Sequence, residues 1–575
     1  MSSSIGQFWQ KYRISVLVLA VVSLVAYGSS AFTPSLLGDE WGILNGHISV
    51  QGIACPDWPT PRPFGHCLLW FVHGVVGLNI YAYHAVAIIA SFLSATLLLI
   101  LLEQLLPSWV TFNSAVATLF LVYPADMTRT WLAGNIVYAV ALYLAAACFL
   151  AAFWRYGRWM TWIAGMAILL LAVGTYEVPL GVTIAMSVGT FVWAKHRSVS
   201  HKLALLTPAL VAVLFSAWRW LWQLSVGTAY GYSVEYISFS PAILISRLIY
   251  GYRVNLQWGW TSAVLSLLPP IEVSAKLAQI LAILTLAGVI LLPALLVSFF
   301  TRTQSVAIQT TAHNPEAYNR IRGVVKIAAV GLAALGAGYL PGILGFFPGM
   351  EYPASRTHHL PSIGAAIFIC AIFFGLASLL TSDPRRSKQV ALAGLVPLML
   401  LGTASQLSVQ QQVHRAWVDQ KQIWQSLFGL APDIAEGTQV VLVLTGYEQE
   451  TRGPGPFISG PWGMSGALTT LYGANVLHGY FAYGSPDEVL AVRQDKLIVS
   501  YFGEKEFPVA ETIVFVFDGA RKQLVHLKAL ETGGRLIPLG PDRILDTPTQ
   551  STDYRWLVQD QGCFLGLKEP SEMSQ

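Results

Sequence analysis

Charge is scarce in this chain. Only 11% of its 575 residues are Asp, Glu, Lys or Arg, against about a quarter in ordinary soluble domains. That excludes a string of soluble cores with solvated surfaces. Five cysteines are too few for a disulfide framework. No HExxH, P-loop or GxSxG segment occurs, so none of those chemistries has a basis in the sequence. Internal repeats and low-complexity tracts are absent as well.

Hydrophobic residues fill the chain instead, at 54%. They come in runs of roughly 17–25 residues, the length needed to cross a hydrocarbon layer. The expected fold is a polytopic all-α membrane protein with about eleven transmembrane helices. The runs lie near 14–32, 81–102, 110–123, 136–154, 159–174, 180–193, 203–221, 277–300, 325–344, 363–380 and 391–406. Those starting at 110, 159 and 180 are short, which suits tilted or incomplete crossings. Lys11 and Arg13 before the first run, with Gly28-Ser29-Ser30-Ala31 behind it, also fit a signal peptide. The length of the run and the many that follow favour an uncleaved helix.

Lys and Arg set the orientation. Fourteen basic residues, among them Lys11, Arg13, Arg155, Arg158, Lys195, Arg302 and Arg385, fall on one side of the expected spans, and six fall on the other: Arg62, Arg129, Arg247, Arg253, Lys276 and Arg356. The N-terminus is therefore expected in the cytoplasm and the C-terminal region outside, in a plasma (inner) membrane. The formal charge of +4 is a topology signal, and no nucleic-acid partner is expected.

Two domains are expected. Residues 1–406 form the membrane core, with long aromatic-rich outer loops at 33–80 and 225–276 that suit short interfacial helices. Residues 407–575 form a small extracytoplasmic α/β domain. It opens with a helix to about Phe428, followed by strand-like runs at 439–444, 496–502 and 512–517. Cys55 and Cys67 share the first outer loop, where a bridge and two free thiols are both open; Cys148 and Cys370 sit inside spans as packing.

Candidate chemistry gathers at the expected outer edge. Asp39 and Glu40 follow the first span, where a carboxylate can act as general base on a hydroxyl or merely cap a turn. Arg62 lies between prolines, with His66 and His73 nearby, and can hold a phosphate or pair with Asp57. Asp126 and Arg129 form a local pair or add charge to a shared site. Glu177, in an apolar connection, needs a partner facing the bundle interior, and Arg219 is its counterpart. Arg356, His358 and His359 make a compact cationic cluster suited to an anionic lipid phosphate; adjacent histidines make a poor metal site.

These segments resemble the GT-C superfamily of integral membrane glycosyltransferases, most of all the polyprenyl- or dolichyl-phosphate-mannose type. The likeness rests on Asp39-Glu40 after the first span and on Leu119 to Trp131 as a second outer loop. It also rests on Tyr176-Glu177, similar to a Lys-Glu pair, and on Arg356 through Leu360-Pro361-Ser362-Ile363-Gly364, similar to an Arg-Tyr-x-x-Leu-Pro-Ser-Ile-Gly segment. Tyr176 departs from the basic residue and Asp126 is displaced towards Pro124; the C-terminal domain is unmatched.

The resemblance implies transfer of a sugar, with inversion, from a polyprenyl-phosphate donor to an extracytoplasmic acceptor (glycan, lipid or protein). Asp39 would be the base, with Glu40 or Glu177 as auxiliary acid. Arg356, with Arg62, His358 and His359, would hold the donor phosphate, and Asp126, Arg129 and Arg219 would assist. Membrane lipids and the lipid-linked donor are the expected partners, and use of a divalent metal stays open. A transporter or assembly subunit with the same architecture, or a lipid-linked oligosaccharide ligase or polymerase, are the competing readings. The absence of paired halves and of mid-span charges counts against transport.

Overall fold

The computed structural model describes residues 2–32, 35–38, 40–41, 62–76, 79–131, 135–194, 198–226, 240–266, 315–343, 348–350, 354–381, 383–447, 456–457, 461–472, 478–501, 503–532, 535–540, 542–545 and 558. The chain divides into two compact units. One comprises 1–34 and 51–412, the other 35–50 and 413–575. Residues 35–50, which follow the first apolar run, thus group with the C-terminal unit.

The first unit is helical. In chain order it holds α1 (Ser2–Phe32), α2 (Gly65–Val76), α3 (Ile80–Leu105), α4 (Val110–Leu121), α5 (Ile136–Tyr156), α6 (Trp159–Thr175) and α7 (Pro179–Trp193). Next come α8 (Val199–Val226), α9 (Pro241–Arg253), α10 (Gly259–Ser266), α11 (Pro315–Ile343), α12 (Pro361–Leu380) and α13 (Pro384–Leu430). Among the described residues, seven helices are long and apolar enough to cross a membrane: α1, α3, α5, α8, α11, α12 and α13. The expected short runs are indeed the short apolar helices α4, α6 and α7. The expected span near 277–300 lies outside the described residues.

Local chemistry explains the boundaries. Proline opens α7, α9 and α12, where a missing N–H costs nothing. The Asn79 side chain accepts the Ala82 N–H at the start of α3, and Gly157 at φ 70° ends α5 in the left-handed conformation. Leu and Ile side chains such as Ile14, Leu17 and Leu24 stay exposed on α1, as a lipid-facing surface requires. Helices do occur within the two long loops, α2 in the one at 33–80 and α9 and α10 in the one at 225–276.

Helices α11 and α12 pack unusually closely. A methyl group on Gly364 would lie 2.2 Å from the Leu335 nitrogen, and one on Gly331 would lie 2.7 Å from the Phe368 nitrogen. Only glycine lets two backbones meet this way. The turn bearing Arg356 connects these two helices.

The second unit is α/β, as expected. It begins in α13 and adds α14 (Pro461–Tyr472) and α15 (Pro486–Val489). After a two-residue β1 (Asp433–Ile434), its main sheet has β2 (Gln439–Thr445) at the centre, parallel to β3 (His478–Tyr483) and β7 (Thr512–Asp518), with β8 (Gln523–Leu527) antiparallel at the edge. A three-stranded antiparallel sheet of β4 (Leu490–Arg493), β5 (Lys496–Tyr501) and β6 (Gly503–Pro508) packs on one face. Val441 and Val443 meet Leu497 and Val499 there, so alternate residues of a buried strand serve the core.

Candidate functional site

Residues 122–131 join α4 to α5, and every one of them is buried. A loop so buried must find partners for its polar groups. The Gln406 amide donates to the carbonyls of Tyr123 (2.9 Å) and Asp126 (2.8 Å). Thr130 Oγ1 donates to Gln410 Oε1 at 3.0 Å, and the Met127 N–H donates to Ser355 Oγ at 3.2 Å. Tyr27 reaches the Leu121 carbonyl at 2.6 Å.

Asp126 is the hub of this loop. Its Oδ1 accepts the Thr128 N–H (3.0 Å) and hydroxyl (2.8 Å). Its Oδ2 accepts His359 Nδ1–H at 2.5 Å and lies 3.5 Å from Arg129 Nε. Burial alone would raise the Asp126 pKa, but the His359 imidazole, its hydrogen bond and the Arg129 guanidinium hold it at about 2. The Arg129 guanidinium also lies 4.6 Å from the Phe120 ring centre and donates to Ser362 Oγ at 3.4 Å. Arg129 is fully enclosed, so this pair is an internal strut and not a surface contact.

The histidines differ from expectation in one respect. His358 and His359 are both buried and are not part of a cationic cluster. His358 Nδ1 accepts from the Tyr339 hydroxyl at 2.5 Å, and its Nε2–H donates to the Gly349 carbonyl at 2.7 Å. Asn255, in a π-helical turn (Val254–Trp258) between α9 and α10, donates to the same Tyr339 hydroxyl. Burial lowers the His358 pKa to about 4. Burial and Arg129 lower that of His359. His358 is therefore neutral near pH 7, and His359 is turned to the Asp126 carboxylate, so neither ring stands as a free cation beside Arg356. Its guanidinium lies 5.0 Å from the ring centre of Trp131, the last described residue of the buried loop.

A titration follows. An unfolded histidine binds its proton near pH 6.5, whereas folded His358 resists until about 4. The stability it contributes is complete above pH 6.5 and is lost as the pH falls towards 4, on the order of 3 kcal/mol. Thermal unfolding in detergent should show the midpoint falling across that window, with a shallower slope in His358→Gln. Parallel slopes would contradict the assignment.

The second charged constellation is built on Glu177, in the short turn between α6 and α7. Arg62 grips it with two bonds, Nε to Oε2 and Nη2 to Oε1, each 3.0 Å. Arg219 on α8 approaches Oε2 from the other side at 2.5 Å. The Arg62 guanidinium stacks 4.0 Å from the centre of the Tyr176 ring. The Phe64 N–H donates to the Gly174 carbonyl at 3.0 Å and fixes the approach of the loop. Desolvation would raise the Glu177 pKa, but Arg219 and Arg62 drive it well below the carboxylate range. Two guanidiniums share one carboxylate. The expected Arg219 partnership is present, and Arg62 joins it on Glu177; Asp57 lies outside the described residues.

Removing Glu177 as Ala should place two guanidiniums face to face. Breaking a buried pair costs roughly 3–5 kcal/mol, and the low end applies because 26% of the Arg62 side chain stays in water. The unfolding midpoint of Glu177→Ala should fall by several degrees, and Arg62→Leu in the same chain should recover part of the loss. No recovery would mean the cations do not repel.

The acidic pair after α1 belongs to the C-terminal unit. Asp39 lies outside the described residues. Glu40 is buried, and its Oε2 accepts the Leu37 N–H at 2.6 Å, so it caps a turn. The side chains of His66 and His73, and Cys55, also lie outside the described residues; Cys67 is disulfide-bonded. Among the described residues, no group of three or more His, Cys, Asp or Glu is placed to hold a metal ion. Sequence reasoning missed Gln406, Gln410, Asn255 and Ser355, whose only signal is a polar residue inside or beside an apolar run.

No protein-family model and no curated protein matches the chain. Among solved structures it is similar to two crystal structures of ArnT from Cupriavidus metallidurans. For the apo state the identity is 11% and the TM-score 0.33, covering 82% of this chain and 86% of that one. For the form bound to undecaprenyl phosphate the identity is 13% and the TM-score 0.32, covering 79% of this chain and 88% of that one. Likeness at that level assigns no role to any residue here.

Proposed function

We propose that this integral membrane protein is a glycosyltransferase of the GT-C type, moving a sugar from a polyprenyl-phosphate donor to an extracytoplasmic acceptor. The observation that carries the reading is the Arg62–Glu177–Arg219 cluster beside Tyr176, which gathers two guanidinium groups near the ends of apolar helices. A phosphate monoester or diester on an isoprenoid needs such a partner: planar N–H donors for its oxygens, and apolar helices beside them for its tail. The motif resemblance around Arg356 adds a third guanidinium, held by stacking on Trp131. The Tyr176 departure from a basic residue is answered by Arg62, which brings a cation to the same spot from another loop.

In this reading the acceptor hydroxyl oxygen attacks the anomeric carbon from the face opposite the phosphate. The bond from that carbon to the phosphate oxygen breaks, inverting the centre, and polyprenyl phosphate leaves with its charge held by guanidinium groups. The hydroxyl proton passes to the Asp39 carboxylate. His358 and His359 do not touch phosphate in this scheme; they fix the turn that presents Arg356.

The test is turnover of radiolabelled polyprenyl-phosphate sugars by the purified full-length protein in lipid nanodiscs. Acceptor-dependent loss of label from the lipid is the expected result. Absence of donor cleavage across hexose and pentose donors would overturn the reading in favour of a non-enzymatic membrane protein.

A further inference from the structure

Asn135 stands at the start of α5 with a carboxamide that the fold does not use. Asparagine is favoured at such a position because its side-chain oxygen accepts an N–H of the first turn. Here the backbone is right-handed (φ −46°, ψ −6°) and no such bond forms. Only the backbone carbonyl serves the helix, accepting the Ala139 N–H at 2.9 Å. The residue is 8% exposed, and its Oδ1 is enclosed with no hydrogen bond among the described residues. A buried acceptor left unpaired destabilises a fold, and departures of that kind gather where function draws on them.

Its surroundings give the acceptor a use. Gly65 opens α2, and a methyl group there would lie 3.3 Å from Asn135 Nδ2, 3.2 Å from the Thr175 carbonyl oxygen and 3.4 Å from the Arg62 Cβ. The carboxamide therefore sits against both loops that build the Arg62–Glu177–Arg219 cluster. Arg62 keeps 26% of its side chain exposed, so a ligand reaches this place. The Asp126–Arg129 pair, at 0%, is closed to one.

The unpaired atom also says what kind of group it takes. Phosphate oxygens accept, which suits guanidiniums, and an amide oxygen gains nothing from them. The partner of Oδ1 has to donate, through an O–H or N–H. Beside a bound sugar phosphate, that donor is a hydroxyl of the sugar ring. From this we infer that Asn135 is a specificity-determining residue of the donor site, binding a ring hydroxyl through Oδ1 while the arginine cluster holds the phosphate. The inference rests on the proposed use of that cluster for a lipid-linked sugar. A water would satisfy the same acceptor, and a ligand series separates the two.

The experiment measures equilibrium binding to the full-length protein in lipid nanodiscs, for decaprenyl phosphate and for its glucosyl, mannosyl and arabinosyl esters. In the parent, at least one ester should bind about tenfold more tightly than decaprenyl phosphate itself. Asn135→Leu should abolish that difference, with the Kd for decaprenyl phosphate within about twofold of the parent. In a monodeoxy series of the preferred ester, one member should lose the same factor in the parent and nothing further in Asn135→Leu. Without ligand, the unfolding midpoint of Asn135→Leu should hold or rise, because an unpaired acceptor gives way to an apolar group of similar size. A midpoint several degrees lower would show that the carboxamide serves the fold, and would overturn the inference. So would equal losses for decaprenyl phosphate and its esters, no loss for either, or a parent that prefers no ester. If the parent reads the sugar in this way but turns over no donor, the proposed function fails and the sugar subsite stands.

Discussion

Asp126→Asn should be among the most destabilising conservative substitutions in the membrane unit. The side chain keeps its size, so packing is unchanged, and the effect isolates the charge. Arg129 would then stay fully enclosed with no anion beside it, a situation that costs about 3–5 kcal/mol. The amide makes matters worse. Asp126 accepts from His359 on one oxygen and from Thr128 on the other, so an NH2 in either place faces a donor. The expected result is a drop of several degrees or more in the unfolding midpoint in detergent, or loss of the monodisperse peak in chromatography. Arg129→Met should hurt as well, because it strands Asp126. The double variant Asp126→Asn/Arg129→Met should cost less than the sum of the two, since it removes both charges. A strictly additive pair would show that Asp126 and Arg129 do not depend on each other. Acid should reproduce the single variant only near pH 2, because the carboxyl's contribution is complete above the unfolded pKa of about 4 and fades as the pH falls through its folded value of about 2.

For Asp39→Asn the expected result is a loss of activity with stability unchanged. General-base catalysis is worth about 10²–10⁴ in rate, and turnover should fall by that factor while the unfolding midpoint and the donor Kd stay as in the parent. Glu40→Gln should behave differently. Its carboxylate accepts the Leu37 N–H, a role the amide oxygen of Gln can fill, so its loss should be about tenfold or less. Equal losses in the two variants would remove the distinction drawn between base and cap. Unchanged transfer in Asp39→Asn would remove Asp39 as the base.

The membrane helices were legible because length against bilayer thickness is a one-dimensional property, and even the short runs at 110, 159 and 180 appear as short helices. The helix to Phe428 and the three strand-like runs were legible for the same reason, through periodicity. Glu177 was legible as a residue in need of a partner, since a carboxylate beside hydrocarbon rarely stands alone. That Arg62 shares it was not, because 115 residues separate the two and loop closure leaves no mark in composition. The enclosure of His358 and His359 was equally hidden. Beside Arg356 in the sequence they read as part of a cationic cluster, and only the fold shows them turned inward to Tyr339, Gly349 and Asp126. Whether Asp126 and Arg129 form a local pair or part of a larger site was not legible, because the loop's partners, Gln406 and Ser355, come from much later in the chain.

The glycine contact between α11 and α12 bears on how the Arg356 turn can move. With no space for even a methyl between Gly331, Gly364 and the facing backbone, neither helix can slide along or roll over the other without collision. The two form one packed base for the turn that carries Arg356. A ligand that draws this guanidinium away from Trp131 does so through the arginine side chain and its turn, against helices that do not slide.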